Sequence, residues 1–131
     1  MPALLLERGL GAAVRDLASR SPLPVDLAID LGTEASERVP ESVESTAYLV
    51  VAEALTNTVK HASAERLGIT LDRHVGRLRL HIADDGVGGA APTGAGLQGT
   101  IDRVTALEGS VRLDSPPGHG TRLTVEIPCG S

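Results

Sequence analysis

The chain has 131 residues, enough for one domain with a core of ordinary size and no need of disulfide staples. Its composition is 41% apolar, yet it has no Phe, no Trp and one tyrosine, Tyr48, so the core must be built from Leu, Val, Ile and Ala, and a flat ligand ring must rest on aliphatic surface. Twelve basic against seventeen acidic residues give a net charge of −5, the wrong sign for a protein whose affinity comes from nucleic-acid phosphates. Lys60 is the only lysine and GxxxxGK[ST] is absent, which removes a Walker-type phosphate loop. The single cysteine, Cys129, excludes an intrachain disulfide and paired-cysteine metal sites. No apolar run reaches the roughly 18 residues of a membrane span, and Met1 to Leu6 lacks the features of a signal peptide, so a soluble, cytoplasmic domain is expected.

Leu10, Val14 and Leu17 recur at helical spacing, which predicts a helix from Gly9 to about Arg20, stopped by Ser21-Pro22-Leu23-Pro24. Val25, Leu27, Ile29 and Leu31 then alternate with polar or small residues as a half-buried strand does. Pro40 can open a long helix ending near Ala62, with Tyr48, Ala52, Leu55 and Val59 as its apolar stripe. Leu67, Ile69 and Leu71, a turn at Arg73 to Gly76, and Leu78, Leu80 and Ile82 read as a hairpin. From Gly86 to Gly99, six of fourteen residues are glycine, and the loop feeds a helix marked by Leu97, Ile101, Val104 and Leu107, with Gly109 as its C-cap. Val111 and Leu113 start a strand, Pro116 to Gly120 is a turn, and Leu123, Val125 and Ile127 form a last strand. Five strands with three helices, enough to cover one face, predict a two-layer α/β sandwich with a mixed sheet.

Four polar residues on the long helix, Glu53, Asn57, Lys60 and His61, fall within roughly 100 degrees of one another around its axis. They could border a cleft, or form a solvated face with a Glu53–Lys60 ion pair. Asp84 ends a predicted strand and opens Asp84-Asp85-Gly86-Val87-Gly88-Gly89, which suits a carboxylate on a pocket floor and equally an ordinary acidic turn. Gly94-Ala95-Gly96-Leu97-Gln98-Gly99 matches GxGxxG, with Asp114 twenty residues beyond Gly94. A dinucleotide fingerprint needs a strand running into its first glycine, and the Gly-, Ala- and Pro-rich stretch before Gly94 is not one. The physics that survives is a glycine loop at a helix N-terminus, where backbone N–H groups and the helix dipole can meet phosphate. The histidines 61, 74, 81 and 119 lack metal-ligand spacing, so no zinc site is expected, and no GxSxG nucleophile elbow occurs.

Taken in order, Glu53-Ala54-Leu55-Thr56-Asn57-Thr58-Val59-Lys60-His61-Ala62, Asp84-Asp85-Gly86-Val87-Gly88, Gly94-Ala95-Gly96-Leu97 and Gly118-His119-Gly120-Thr121 resemble the N, G1, G2 and C-terminal Gly-Thr motifs of the GHKL ATPases. More narrowly, the chain resembles the catalytic ATP-binding domain of bacterial two-component sensor histidine kinases of the NarL/DesK-associated class. The resemblance implies a Bergerat ATP-binding fold over residues 1–131 as one domain, with ATP and Mg2+ as ligands. It implies that Asn57 holds Mg2+, that Glu53 acts as or orients a general base, and that Lys60 and His61 lie beside the phosphates. Asp84 would accept a hydrogen bond from the adenine amino group, and Gly86 and Gly88 would let backbone approach the ring. Gly94, Gly96 and Leu97 would close over the phosphates, and Thr121 would support Asp84 directly or through water. Gly89 to Thr93 makes a very short lid, so weak nucleotide retention is expected of the isolated domain.

None of the four histidines stands in the sequence context of a phosphoryl acceptor. The resemblance therefore implies an upstream dimerisation and histidine phosphotransfer domain in a longer parent, with a response regulator as further partner. Homodimerisation is then expected only in the intact parent, which could be anchored in the membrane; this domain itself is expected to contact neither membrane nor nucleic acid. A stand-alone GHKL serine kinase of the anti-sigma type and a non-catalytic nucleotide-binding module are the alternatives.

Overall fold

The computed structural model describes residues 3–31, 39–61, 64–87 and 95–129. In chain order these form α1 (Ala3–Ser19), β1 (Val25–Asp30), α2 (Glu41–His61), β2 (Leu67–His74), β3 (Arg77–Asp84), α3 (Ala95–Ala106), β4 (Ser110–Asp114) and β5 (Thr121–Pro128). The strands make one mixed sheet in the order β1-β2-β3-β5-β4. β1 and β2 run parallel, as a strand–helix–strand connection through α2 requires, and the remaining neighbours are antiparallel.

Period-two alternation gives the sheet one dry face. Leu67, Ile69 and Leu71 of β2, Leu78, Leu80 and Ile82 of β3, and Leu123, Val125 and Ile127 of β5 are all buried with α1, α2 and α3 residues in one core. Arg79, His81 and Arg112, at alternate positions, stay exposed on the other face. This is the expected two-layer sandwich. Cys129 is buried at the end of β5 as a free thiol.

The helices depart from the sequence reading in informative ways. α1 starts earlier than Gly9, and Gly9 itself breaks it, with φ 86° and ψ −179°. The helix restarts at Leu10, whose N–H would be an orphan of the new N-terminus; it donates instead to the buried Glu44 carboxylate on α2, 3.1 Å away. Glu44 thereby ties the two helices together at a point no local motif announces.

On α2 the expected stripe of Tyr48, Ala52, Leu55 and Val59 is only partly the core-facing one. Val43, Ala47, Val50, Val51, Leu55 and Thr58 are buried together with Tyr48, whereas Val59 is 46% exposed and Ala52 only half-buried. Small and β-branched residues surround much of this helix, so periodicity admits several faces, and the sheet beneath selects among them.

The left-handed residue that closes α3 comes one position before the expected glycine cap. Glu108 takes the left-handed conformation at φ 62°, its N–H reaching Thr105 O and the Gly109 N–H reaching Val104 O, both at 2.9 Å. That is a Schellman arrangement with Glu108 at C′ and Gly109 at C″. Gly109 is needed for room: a Cβ there would sit 2.5 Å from the Glu126 carbonyl oxygen and 2.7 Å from Val104 Cγ1.

β2 and β3 pair as far as His74 and Arg77, leaving a tighter turn than the expected Arg73 to Gly76. Its two residues, Val75 and Gly76, both have positive φ, 49° and 71°, as a primed turn matched to strand twist demands. Val75 is a β-branched residue in the left-handed region, and its side chain is 84% exposed, so no packing offsets the strain. Val75→Asn should raise stability in urea unfolding by about 1 kcal/mol; an unchanged or lower midpoint would show that the turn is not strained.

Candidate active site

Two adjacent carboxylates at the end of β3 do different work. Asp84 is the last residue of the strand, paired in register with Leu67 at the start of β2 and Thr121 at the start of β5. Its Oδ1 accepts the Gly86 N–H at 2.9 Å, an Asx turn that bends the chain out of the sheet. Its Oδ2 accepts the hydroxyl of Thr58 on α2 at 3.3 Å. Asp85 points the other way: its Oδ1 takes the N–H groups of Glu65 and Arg66 at 2.9 and 3.1 Å and anchors the entry to β2. Arg66 in turn pairs with Asp26 of β1 at 2.8 Å. The hydrogen bonds that Arg66 donates to Asp26, then the charge of that carboxylate, hold the Arg66 pKa above its usual value. Both partners are well exposed, so the pair adds register between β1 and β2 more than stability.

The turn between β4 and β5 closes over the same corner. The Gly118 N–H donates to Val87 O at 2.6 Å. Gly120 is buried at φ 75°, and a Cβ on it would collide with the Asp84 carbonyl oxygen. Thr121 lies beside Asp84 across the ladder, but its hydroxyl is 2.6 Å from Ser115 Oγ. Of the two forms of support expected from Thr121, direct or through water, no direct hydrogen bond to Asp84 is formed; the side chain bonded directly is Thr58. No motif marks Thr58; only the facing of α2 on the sheet shows that its buried hydroxyl needs a partner.

The Thr58–Asp84 bond fixes where the polar face of α2 lies. Asn57 precedes Thr58 and lies on the flank of the core stripe, with Glu53 one turn earlier. Lys60 instead lines a groove with Ala52, Leu55, Thr56 and Val59 of α2 against Leu17, Arg20 and Pro22 at and just beyond the end of α1. Glu53 and Asn57 are half-buried and Lys60 is exposed. Among the described residues, no hydrogen bond or ion pair occupies these three side chains; the Glu53–Lys60 ion pair of the alternative reading is not formed. His61 closes α2, with its side chain outside the described residues, as is that of Leu97. Gly96 and Leu97 lie in the first turn of α3, which packs on α2. Gly88, Gly94 and the short lid fall outside the described residues.

The carboxylate of Asp84 is thus held on both oxygens at a strand end, by its own turn and by a helix that also carries Glu53 and Asn57. The sequence pattern of the family described as histidine kinase-, DNA gyrase B- and HSP90-like ATPase matches residues 42–131. The chain belongs to this family. Within it the similar proteins are sensor histidine kinases, as the motif resemblance implies. The chain is 32% identical to the oxygen sensor histidine kinase NreB of Staphylococcus carnosus, over 97% of this chain and 38% of that protein. It is 34% identical to the sensor histidine kinase NarS of Mycobacterium tuberculosis, over 97% of this chain and 31% of that protein. The chain thus spans about a third of the length of these relatives. The solved ATP-binding domain of PrrB from Mycobacterium tuberculosis shares its fold, with a TM-score of 0.68 and 22% identity over 93% of this chain and 92% of that one. This histidine kinase-type ATPase domain has, among the described residues, no helix long and apolar enough to cross a membrane.

The close approach at Gly120 has a direct consequence for the domain. Gly120→Ala should cost about 2–4 kcal/mol in urea unfolding, combining backbone strain with a collision against β3. Gly118→Ala, at φ 82° with open space around it, should cost about 1–2 kcal/mol. Equal losses for the two variants would contradict the packing of the turn on Asp84.

Proposed function

We propose that this domain binds Mg-ATP and donates the γ-phosphoryl group to a histidine on a dimerisation domain of the same parent protein, which then signals to a response regulator. The observation that carries the reading is the Asp84 carboxylate, held by Gly86 and by Thr58 of α2, the helix that also carries Glu53 and Asn57. An ionised carboxylate has about four acceptor positions, and two are filled, so it can still receive an N–H from a ligand. The adenine amino group offers such a donor. Guanine presents a carbonyl at the same point, and two acceptors facing each other in a water-poor pocket repel. Gly86, Gly88 and the wall that includes Thr121 would line the ring, which suits a chain with almost no aromatic residues.

Asn57 fits a hard cation: its side-chain oxygen is a neutral ligand and has no competing partner among the described residues. When bound, Mg2+ neutralises phosphate charge. Lys60 and His61 would add charge and hydrogen bonding to the same phosphates, and Gly94, Gly96 and Leu97 would cover them at the N-terminus of α3. Glu53, one turn from Asn57, would accept the proton of the attacking imidazole or orient the group that does. As the nitrogen–phosphorus bond forms, the bond from phosphorus to the bridging oxygen breaks and ADP leaves. The phosphorylated histidine then passes the group to an aspartate of the response regulator. Because the acceptor histidine lies on another domain, this chain alone would bind and slowly hydrolyse ATP without labelling itself. The parent would be a homodimer through its dimerisation domain, with any membrane anchor elsewhere in its length.

Calorimetry on the domain tests both ends of the site. Asp84→Asn should weaken Mg-ATP binding about 10- to 100-fold with the fold intact, and Asn57→Ala should abolish the enhancement of binding by Mg2+. Unchanged affinity in the first variant, or a retained Mg2+ effect in the second, would sink the corresponding assignment.

A further inference from the structure

We propose that Thr58 is a positioning residue for base selection: its hydroxyl locks the Asp84 carboxylate as an acceptor in a single orientation, and so sets the preference for a 6-aminopurine over a 6-oxopurine. The proposal rests on the reading of Asp84 as the base-recognition residue.

Thr58 is only 5% exposed and stands on the core side of α2, in line with Val43, Ala47, Val50, Val51 and Leu55. A hydroxyl buried among such neighbours costs about 1–3 kcal/mol unless it is bonded. A threonine in a helix can bond the carbonyl one turn back, and Thr56 does so, its hydroxyl 2.9 Å from Ala52 O. Thr58 instead reaches across 26 residues of chain to Asp84 Oδ2. Since an ionised carboxylate only accepts, the hydroxyl is the donor.

The consequence follows from the geometry of a carboxylate. One hydrogen bond leaves it free to swing about its terminal torsion, a broad one. Two, from Gly86 N–H to Oδ1 and from Thr58 to Oδ2, fix its plane and leave unfilled acceptor positions in defined directions. The Gly86 donor belongs to a loop, whereas Thr58 is β-branched and sits in the middle of a packed helix, which restricts its χ1 and aims its oxygen. A pinned acceptor rewards an amino group and penalises an oxo group. A loosened one can rotate or admit a water that donates to the oxo group, and the penalty fades. Thr121 makes no hydrogen bond to Asp84; its hydroxyl lies 2.6 Å from Ser115 Oγ.

The test is the ratio of ADP to IDP affinity, measured by calorimetry on the domain, for wild type, Thr58→Val, Thr58→Ala and Thr58→Ser. Valine keeps the shape and removes the donor; alanine removes it without adding apolar bulk. In both, ADP affinity should fall about tenfold while IDP affinity changes less than twofold, so that the ratio collapses, and serine should restore most of it. Equal weakening of ADP and IDP, or an unchanged ratio in folded Thr58→Val and Thr58→Ala, would overturn the role assigned to Thr58. Failure of the underlying reading looks different: wild type would itself show no preference for ADP, or Asp84→Asn would leave the ratio intact.

Discussion

The carboxylate of Asp84, gripped by a helix on one side and by its own turn on the other, is the constraint around which this domain is arranged. It terminates β3, receives Thr58 from α2 and Gly86 from the departing chain, and has Gly120 packed on its backbone. Each contact comes from a different part of the chain, so the site exists only once the sheet, α2 and the β4–β5 turn have assembled. Buried polar contacts of this kind are costly when half-made. Here the group not fully engaged is also the one a ligand can satisfy.

The division of labour between neighbouring residues follows from strand and helix geometry. Asp84 and Asp85 are chemically identical and adjacent, yet one bonds Thr58 of α2 and its own turn while the other bonds the backbone that enters β2. On α2, Asn57 and Thr58 differ by one position: the first lies on the flank, the second on the core side. A rotation of about 100 degrees separates the proposed metal ligand from the residue proposed to orient the base-recognising acid.

The strands and their order in the chain were legible because period-two alternation is unambiguous over Leu67 to Leu71 and Leu78 to Ile82. The glycine-rich and Asn-bearing segments were legible as a set through their motifs, since each is weak alone and their order is informative. The facing of α2 was not. Apolar residues occupy most sides of that helix, so Val59 reads as core and nothing marks Thr58 until the sheet selects the buried face. The contact from Leu10 to Glu44 escaped for a related reason: it joins a break in one helix to a side chain 34 residues away, and no local pattern encodes it. At the end of α3 the glycine was correctly singled out as special, but for its conformation. The structure shows that space beside Glu126 and Val104 is what it supplies, while Glu108 takes the left-handed turn.

A crystal structure of the domain with Mg2+ and a non-hydrolysable ATP analogue tests the central claim most directly. The account predicts the adenine amino nitrogen within about 3 Å of an Asp84 carboxylate oxygen, with the Thr58 hydroxyl still bonded to that carboxylate. A nucleotide bound with its base elsewhere, or with its amino group turned to solvent and Asp84 released from Thr58, would contradict it.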